Sequence, residues 1–179
     1  ERLLQALKRE RAAARIVLLQ ALESDRYLAL LERLEAGAQS PGVVDATVSL
    51  ADIAGAEFKT LRRAMQKSGP DASDNLLHRI RIQGKRARYA AELSERSVGK
   101  PATRFLRQAQ ALQDLLGEHH DAVVTEQRLR KFLGQARGKF TVFAVGRLVE
   151  RQCERRRNAR ARLPNVWAKL EKRGQKAWG

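Results

Sequence analysis

The sequence has few of the residues that form disulfides, metal clusters or aromatic binding platforms. Its single cysteine excludes an internal disulfide and a metal site made of cysteines. Aromatic residues make up 5% and there is one methionine, so a core must consist mainly of aliphatic side chains. No apolar run approaches the roughly 18 residues of a membrane-spanning helix, and the N-terminus lacks the apolar core of a signal peptide. These absences predict a cytoplasmic protein.

Positive charge is the most pronounced feature of what is present. The chain has 36 Lys and Arg against 20 Asp and Glu, for a net charge of +16 and an isoelectric point near 11.1. Such a domain repels itself unless something anionic neutralises it, so the surplus implies a polyanionic partner. Nucleic acid, an anionic membrane surface and polyphosphate all meet this requirement, and net charge alone does not separate them.

Apolar residues recur at three- and four-residue spacing along nearly the whole chain, which predicts an all-α fold. We expect an antiparallel helical bundle of about six to seven helices with short connections, forming one domain over residues 1–179. The first half of the chain is predicted to contain a helix over about 3–21, a second helix capped by Ser24 or Asp25, a loop over 37–48 that contains Pro41-Gly42, and a helix over about 50–67. After a break over 68–71, a central helix is predicted from Asp71 or Ser73 to about 94, followed by helices over about 101–117 and 121–135. The last predicted helix spans about 138–162 and ends before Pro164, with a tail around Trp167.

The central helix carries a row of basic side chains. At about 100° per residue, four of them occupy an arc of about 80° over about three turns: His78, Arg81, Lys85 and Arg88. The segment 75–91 contains no Asp or Glu, whereas ordinary solvated faces mix charges of both signs. Because Arg offers a two-pronged donor and Lys a mobile charge, the row suits a linear phosphate polymer. A plain solvated helix face is the alternative interpretation.

Two other basic pairs are weaker candidates for the same ligand. Lys59 and Arg63 lie four residues apart on the third helix and can form another wall of the site, although plain solvation is an equal alternative. Arg151 and Arg155 share a face of the last helix and are candidates for additional phosphate contacts.

The run Glu118-His119-His120-Asp121 is not predicted to bind a metal. Adjacent histidines on a helix point about 100° apart, and no further His lies three or four residues away. We expect Asp121 to cap a helix, and Asp114 or Glu118 to form ion pairs.

The spacing His78-x-x-Arg81-x-x-x-Lys85-x-x-Arg88-Tyr89 resembles the signature of CHAD domains, the conserved histidine α-helical domains. Two further stretches follow in the same order: Ala111-Leu-Gln-Asp-Leu-Leu-Gly-Glu-His-His-Asp-Ala122 is similar to a second family element, and Leu163-Pro-x-x-Trp167 to the closing one. The resemblance implies a helical domain of two similar halves around a basic channel that binds inorganic polyphosphate and lacks catalytic machinery. Such domains occur alone or joined to a triphosphatase-type CYTH domain, and some associate with polyphosphate granules.

By position, the resemblance makes His78, Arg81, Lys85 and Arg88 the channel-lining set of the second half. The chain shows no second copy of the signature, and it starts at Glu1 inside a helical pattern without methionine. We therefore interpret it as the C-terminal half of a CHAD domain. The N-terminal half was removed, or the half-domain pairs with another copy.

The function expected is non-catalytic binding of inorganic polyphosphate, with no cofactor, no metal and no membrane partner. The alternative is a helical protein that binds RNA or DNA nonspecifically, since weak binding follows from charge alone. Single-strand binders usually add aromatic platforms, and only Tyr89 lies near the basic row. A third interpretation is that the chain is a fragment of a hydrolase. Because the chain lacks an acidic metal-binding cluster, it is expected to be at most an accessory module of a triphosphatase or polyphosphate enzyme.

Overall fold

Helices account for almost all of the chain that the structure describes. The computed structural model describes residues 2–40, 47–69 and 71–179, and no strand occurs in these ranges. The helices are α1 (Arg2–Leu22), α2 (Asp25–Gln39), α3 (Leu50–Gln66), α4 (Asp74–Val98), α5 (Lys100–Leu133) and α6 (Lys139–Trp178). The predicted all-α helical bundle is confirmed.

The chain divides into two compact units, Glu1–Ala46 and Thr47–Gly179. The first contains α1 packed against α2, and the second contains α3 to α6. All predicted site residues belong to the second unit. That residues 1–179 form one domain, the second half of a larger one, stays a prediction.

Serine side chains fix the starts of three helices, as expected for residues that accept a hydrogen bond from the first turn. Ser24 caps α2 and Ser73 caps α4, which confirms both predicted starts. Ser49 caps α3 in a reciprocal arrangement with Asp52, whose carboxylate accepts from the Ser49 backbone N–H. Between α4 and α5 only Gly99 intervenes. Its φ of 72° needs a glycine, and Pro101 follows in the first turn of α5.

The loop prediction over 37–48 is wrong at its start, because α2 continues to Gln39. A glycine inside a helix costs only about 1 kcal/mol, so Gly37 is tolerated in the last turn. Residues 41–46 of that loop, including Pro41-Gly42, and Pro70 of the predicted break lie outside the described residues.

The prediction of two helices over 101–117 and 121–135 is also wrong, because α5 is continuous over 34 residues. One buried stripe runs straight through the predicted break: Leu112, Leu115, Leu116, His119, Ala122 and Val123. Burial of that stripe outweighs the small helix penalty of Gly117. Asp121 is therefore an exposed residue inside the helix and not a cap.

Pro164 does not end the last helix, contrary to the prediction. Helix α6 spans 40 residues and carries Pro164 inside it, on the exposed side. A proline removes one backbone hydrogen bond, but the turns beyond it bury Leu170 and Gly174 against the rest of the unit. Trp178 contacts the rings of Phe58 and Phe105 at centroid distances of 6.3 and 4.8 Å. This packing explains why the helix continues.

The core of the second unit lies between neighbouring antiparallel helices. Helix α5 packs against both α4 and α6, while α3 packs against α4 and α6. Fully buried side chains from four helices meet there, among them Leu61, Ile80, Phe105, Leu112 and Leu170. The basic row of α4 lies next to this core, so its backbone positions are fixed by packing.

Candidate functional site

The four predicted residues of α4 lie along one side of the helix, at the border between its buried and exposed faces. His78, Arg81, Lys85 and Arg88 are all half-buried. The buried face is formed by residues such as Leu77, Ile80, Gly84, Ala87 and Ala91. The exposed stripe of the helix contains Arg79, Ile82, Arg86, Tyr89 and Leu93. The row therefore follows the seam with a neighbouring helix and is not the most solvated line of α4.

That neighbour is α5, as two contacts show. The imidazole rings of His78 and His120 stack with centroids 4.7 Å apart and planes 29° apart. Near the other end of the row, Arg88 Nη1 donates to Gln110 Oε1 at 2.9 Å. Because the two helices are antiparallel, these contacts bracket Arg81 and Lys85 along the same seam. The stacking places His120 beside the row, which the sequence did not predict.

Arg88 differs from the other members because it already has partners. It forms an ion pair with Glu92 at 3.3 Å and lies 5.1 Å from the centre of the Tyr89 ring. Its acceptor Gln110 in turn donates to Asp114 at 2.7 Å. Arg88 is therefore held in place with part of its charge offset. The i,i+4 spacing of Arg88 and Glu92 is a sequence signal that would have found this pair.

Arg81 and Lys85 form no ion pair with any acidic residue in the described ranges. Both residues are half-buried, and their charges have no acidic partner there, so an anion bound beside them would be favourable. The row rises about 15 Å from His78 to Arg88 at 1.5 Å per residue, enough for several phosphate groups in line. Of the four residues in the row, Arg81 and Lys85 are the two cationic side chains without an ion pair in the described ranges.

The weaker candidates lie elsewhere on the surface of the unit. Lys59 and Arg63 are exposed on α3, and Lys59 borders a shallow depression shared with Asp52 and Trp178. Hydrogen bonds from Ser49 are the main reason that the pKa of Asp52 is lowered, and the Lys59 charge adds to this effect. Lys59 thus has an acidic neighbour of its own, away from the histidine pair.

Of the two α6 candidates, only Arg155 has partners in the described ranges. It donates to Gln152 at 3.2 Å, and its Nε lies 3.9 Å from Glu118. Glu118 also lies 3.5 Å from Arg162, which confirms its predicted role in ion pairs. Arg151 is exposed and borders a depression that includes Glu150 and Glu154. The structure shows no contact that joins Arg151 or Arg155 to the α4 row among the described residues.

A second charged cluster, which the sequence analysis missed, joins α4, α5 and α6. Asp74 accepts from Arg156 at 2.9 Å and from Arg160 at 2.7 Å. Arg156 also donates to Glu126 at 2.6 Å. Asp74 lies in the first turn of α4, where a negative charge is favourable. Because Asp74 and Arg156 are 82 residues apart in the sequence, no local pattern predicts their contact. These arginines are neutralised within the fold and are poor candidates for phosphate binding.

The cluster shifts the pKa of two buried groups. Burial is the main reason that the pKa of His119 is lowered from 6.5; Arg160 lowers it further, while Asp74, whose Oδ1 lies 3.3 Å from His119 Nε2, opposes the change. Burial alone would raise the pKa of Glu126 from 4.5, but hydrogen bonds from Arg156 and Arg130 outweigh it and leave the pKa lowered. His119 is thus neutral, and Glu126 charged, in the folded protein near neutral pH.

We expect the protein to lose stability as the pH falls. The unfolded chain binds a proton at His119 near its ordinary pKa of 6.5, while the folded protein resists protonation, so stability is complete above that pKa and declines below it. Glu126, whose folded pKa is also lowered, adds a second loss below its ordinary 4.5. Urea unfolding at a series of pH values measures the effect.

The matched control for this prediction is His119→Gln, which removes the titrating group but keeps a polar side chain. Its stability should depend less on pH between about 7 and about 5. An identical slope in the natural protein and the variant would contradict the assignment to His119.

No group of three His, Cys, Asp or Glu side chains within the described ranges is close enough to hold a metal ion. Nor does any helix in those ranges combine the length and apolar composition that crossing a bilayer requires.

The family model described as CHAD domain matches residues 1–130, well over half of the chain. The chain belongs to the CHAD domain family. The match includes the entire α4 row and His120, and it ends before the turn into α6.

Two curated relatives, the uncharacterized proteins MT2285 and Rv2226 of two Mycobacterium tuberculosis strains, are each 30% identical to the chain over 168 residues. The alignments cover 88% of this chain but 31% of each relative, so the chain spans about a third of their length. No solved structure matches the chain. The relatives' names assign no activity.

Proposed function

We propose that this CHAD domain binds inorganic polyphosphate along the seam between α4 and α5, without catalysing its turnover. The observation that carries the proposal is the pair Arg81 and Lys85, two half-buried cations that no acidic residue of the described ranges neutralises. The histidine pair and Arg88 flank them on the same line. A linear polyanion lying there meets a donor at each helical turn.

Each side chain has a distinct task in this proposal. Lys85 supplies a mobile charge, and Arg81 a planar fork that can contact two phosphate oxygens. His78 and His120, whose rings stack, offer ring nitrogens as hydrogen-bond donors to phosphate oxygens. Arg88, already positioned by Glu92 and Gln110, marks one end of the row.

The seam is one wall of a basic channel, completed by an N-terminal half or by a second copy of the chain. Lys59, Arg63, Arg151 and Arg155 add weaker electrostatic attraction from outside the seam. The module serves in the cytoplasm, at polyphosphate granules or beside a triphosphatase-type enzyme.

Nonspecific nucleic-acid binding is the competing function, and one observation favours it: Tyr89 is 49% exposed beside Arg88 and can stack on a base. A competition titration at near-physiological salt separates the two. Labelled long-chain polyphosphate is displaced by unlabelled polyphosphate, single-stranded RNA or duplex DNA at equal phosphate concentration. We expect strong displacement by polyphosphate only. Equal displacement by all three would show that net charge, and not the seam, determines binding.

A further inference from the structure

The first turns of α6, next to the turn that follows α5, carry the most exposed aromatic side chains of the described chain. Helix α5 ends at Leu133 and α6 begins at Lys139, so the two longest helices meet at this end of the unit. Phe140 is 92% exposed and Phe143 is 67% exposed. Leaving two phenylalanines in water forgoes the burial that usually stabilises such residues, so another surface is expected to cover them.

These side chains are not needed to hold the two helices together. Val145 and Val149 are buried in that stretch of α6, whereas Phe140 and Phe143 lie three residues apart on an outward face. Val142 and Leu148 are also exposed, at 44% and 40%. The first turns of α6 thus expose both aromatic and aliphatic side chains, with Phe140 and Phe143 on one side of the helix and Val142 on the opposite side from Phe140.

The residues next to these phenylalanines in the sequence carry positive charge. The stretch 127–149 contains no Asp or Glu and six basic residues: Arg128, Arg130, Lys131, Arg137, Lys139 and Arg147. Arg130 pairs with Glu126, while the other five form no ion pair in the described part of the chain. We call the stretch 127–149 the aromatic–basic tip. Most of it lies beyond residue 130, where the family match ends.

We propose that the aromatic–basic tip docks on an anionic lipid surface, with Phe140 and Phe143 inserted among the acyl chains and the basic residues against the headgroups. Peripheral anchors combine these two features, because apolar burial and attraction to anionic lipid add to one another. The proposal replaces the expectation of no membrane partner. It concerns surface contact through side chains and does not depend on polyphosphate binding at the seam.

Two other occupants fit the tip less well. A second copy of the chain would bring the same unpaired cations into contact with each other, which is unfavourable. Single-stranded nucleic acid would be attracted by the charge and could stack on the phenylalanines, but Val142 and Leu148 offer no ring for a base. A lipid surface accommodates aromatic and aliphatic side chains alike.

Sedimentation with lipid vesicles tests the proposal. The full chain is mixed with vesicles of phosphatidylcholine alone, or of phosphatidylcholine with about one third phosphatidylserine. We expect co-sedimentation with the anionic vesicles only, and a decrease in affinity of about tenfold or more for Phe140→Ser/Phe143→Ser, since two inserted rings are lost. The matched control is Ile53→Ser/Leu93→Ser, which removes two exposed apolar side chains on α3 and α4 and should bind normally.

Three outcomes would overturn the proposal. The first is unchanged vesicle binding by the Phe140→Ser/Phe143→Ser variant, with circular dichroism confirming that it is folded. The second is equal binding to neutral and anionic vesicles. The third is that the phenylalanine variant loses a dimer in sedimentation velocity, or loses single-stranded RNA binding, while neither protein binds vesicles. Normal vesicle binding by Arg81→Glu/Lys85→Glu would show that the tip and the seam act independently.

Discussion

Replacing both Arg81 and Lys85 by glutamate is expected to abolish polyphosphate binding and leave the helix content unchanged. Two charge-assisted hydrogen bonds of about 1.5 kcal/mol each correspond to roughly a hundredfold in affinity. The new carboxylates repel the polymer and lower the affinity further. Neither native side chain forms an ion pair with an acidic residue of the described ranges, and the buried face of α4 is untouched, so folding should not suffer.

The control that gives this experiment its meaning is Arg79→Glu/Arg86→Glu. Both of these arginines lie on α4, but on its exposed stripe and not in the half-buried row. The net charge changes by the same amount in the two double variants, so any effect of overall charge is shared. We expect the seam variant to lose binding and the control to be weakened far less. Equal losses, measured by fluorescence titration at one salt concentration, would contradict a site at the seam.

A third variant asks whether the histidine pair belongs to that site. His120→Ala removes the ring stacked on His78 and takes away one donor without altering the arginine and lysine of the row. We expect a decrease in affinity of several-fold, smaller than that of the charge reversal, because one hydrogen-bond donor is lost while Arg81 and Lys85 remain. No change in the titration would leave His120 outside the site.

The features of the fold that local sequence determines could be predicted. Ser24 and Ser73 start α2 and α4 because a serine oxygen satisfies backbone donors within its own turn. Gly99 and Pro101 separate α4 from α5 for equally local reasons. Each of these signals lies within a few residues of the boundary that it determines.

The errors occurred where tertiary packing outweighs a local signal. Gly117 and Pro164 both suggest helix ends, and both lie inside helices. In each case the next turns bury apolar side chains, such as Val123 beyond Gly117 and Leu170 beyond Pro164. The sequence shows the cost of the glycine or proline but does not show which partner the following turns meet.

The candidate site divides in the same way. Helical periodicity alone places Arg81 and Lys85 on one side of α4. The half-buried position of that side, the His78–His120 stack and the hydrogen bond from Arg88 to Gln110 all depend on how α4 packs against α5. No spacing within one helix reports contacts across two. This is why the sequence did not predict His120 as a neighbour of His78.

The largest stability effect is expected at Phe105, where the packing that carries α6 past Pro164 converges. Its ring is fully buried and meets Phe58 of α3 edge-on at 5.7 Å and Trp178 of α6 at 4.8 Å. Phe105→Ala should lower the free energy of unfolding by about 3–5 kcal/mol, since it leaves a cavity and removes two aromatic contacts. That loss is large compared with the free energy of unfolding of a typical domain, which is about 5–15 kcal/mol.

Urea unfolding followed by circular dichroism measures this loss, and Phe143→Ala is the matched control. Phe143 is 67% exposed, so its removal should change the free energy of unfolding by no more than about 0.5 kcal/mol. Gly174 gives an independent check of how α6 packs against α3, because a Cβ there would overlap the Phe58 ring. Gly174→Ala should therefore also destabilise the protein, by about 1–3 kcal/mol. If Phe105→Ala and Gly174→Ala both behaved like the exposed control, the turns of α6 beyond Pro164 would not pack against α3 and α5.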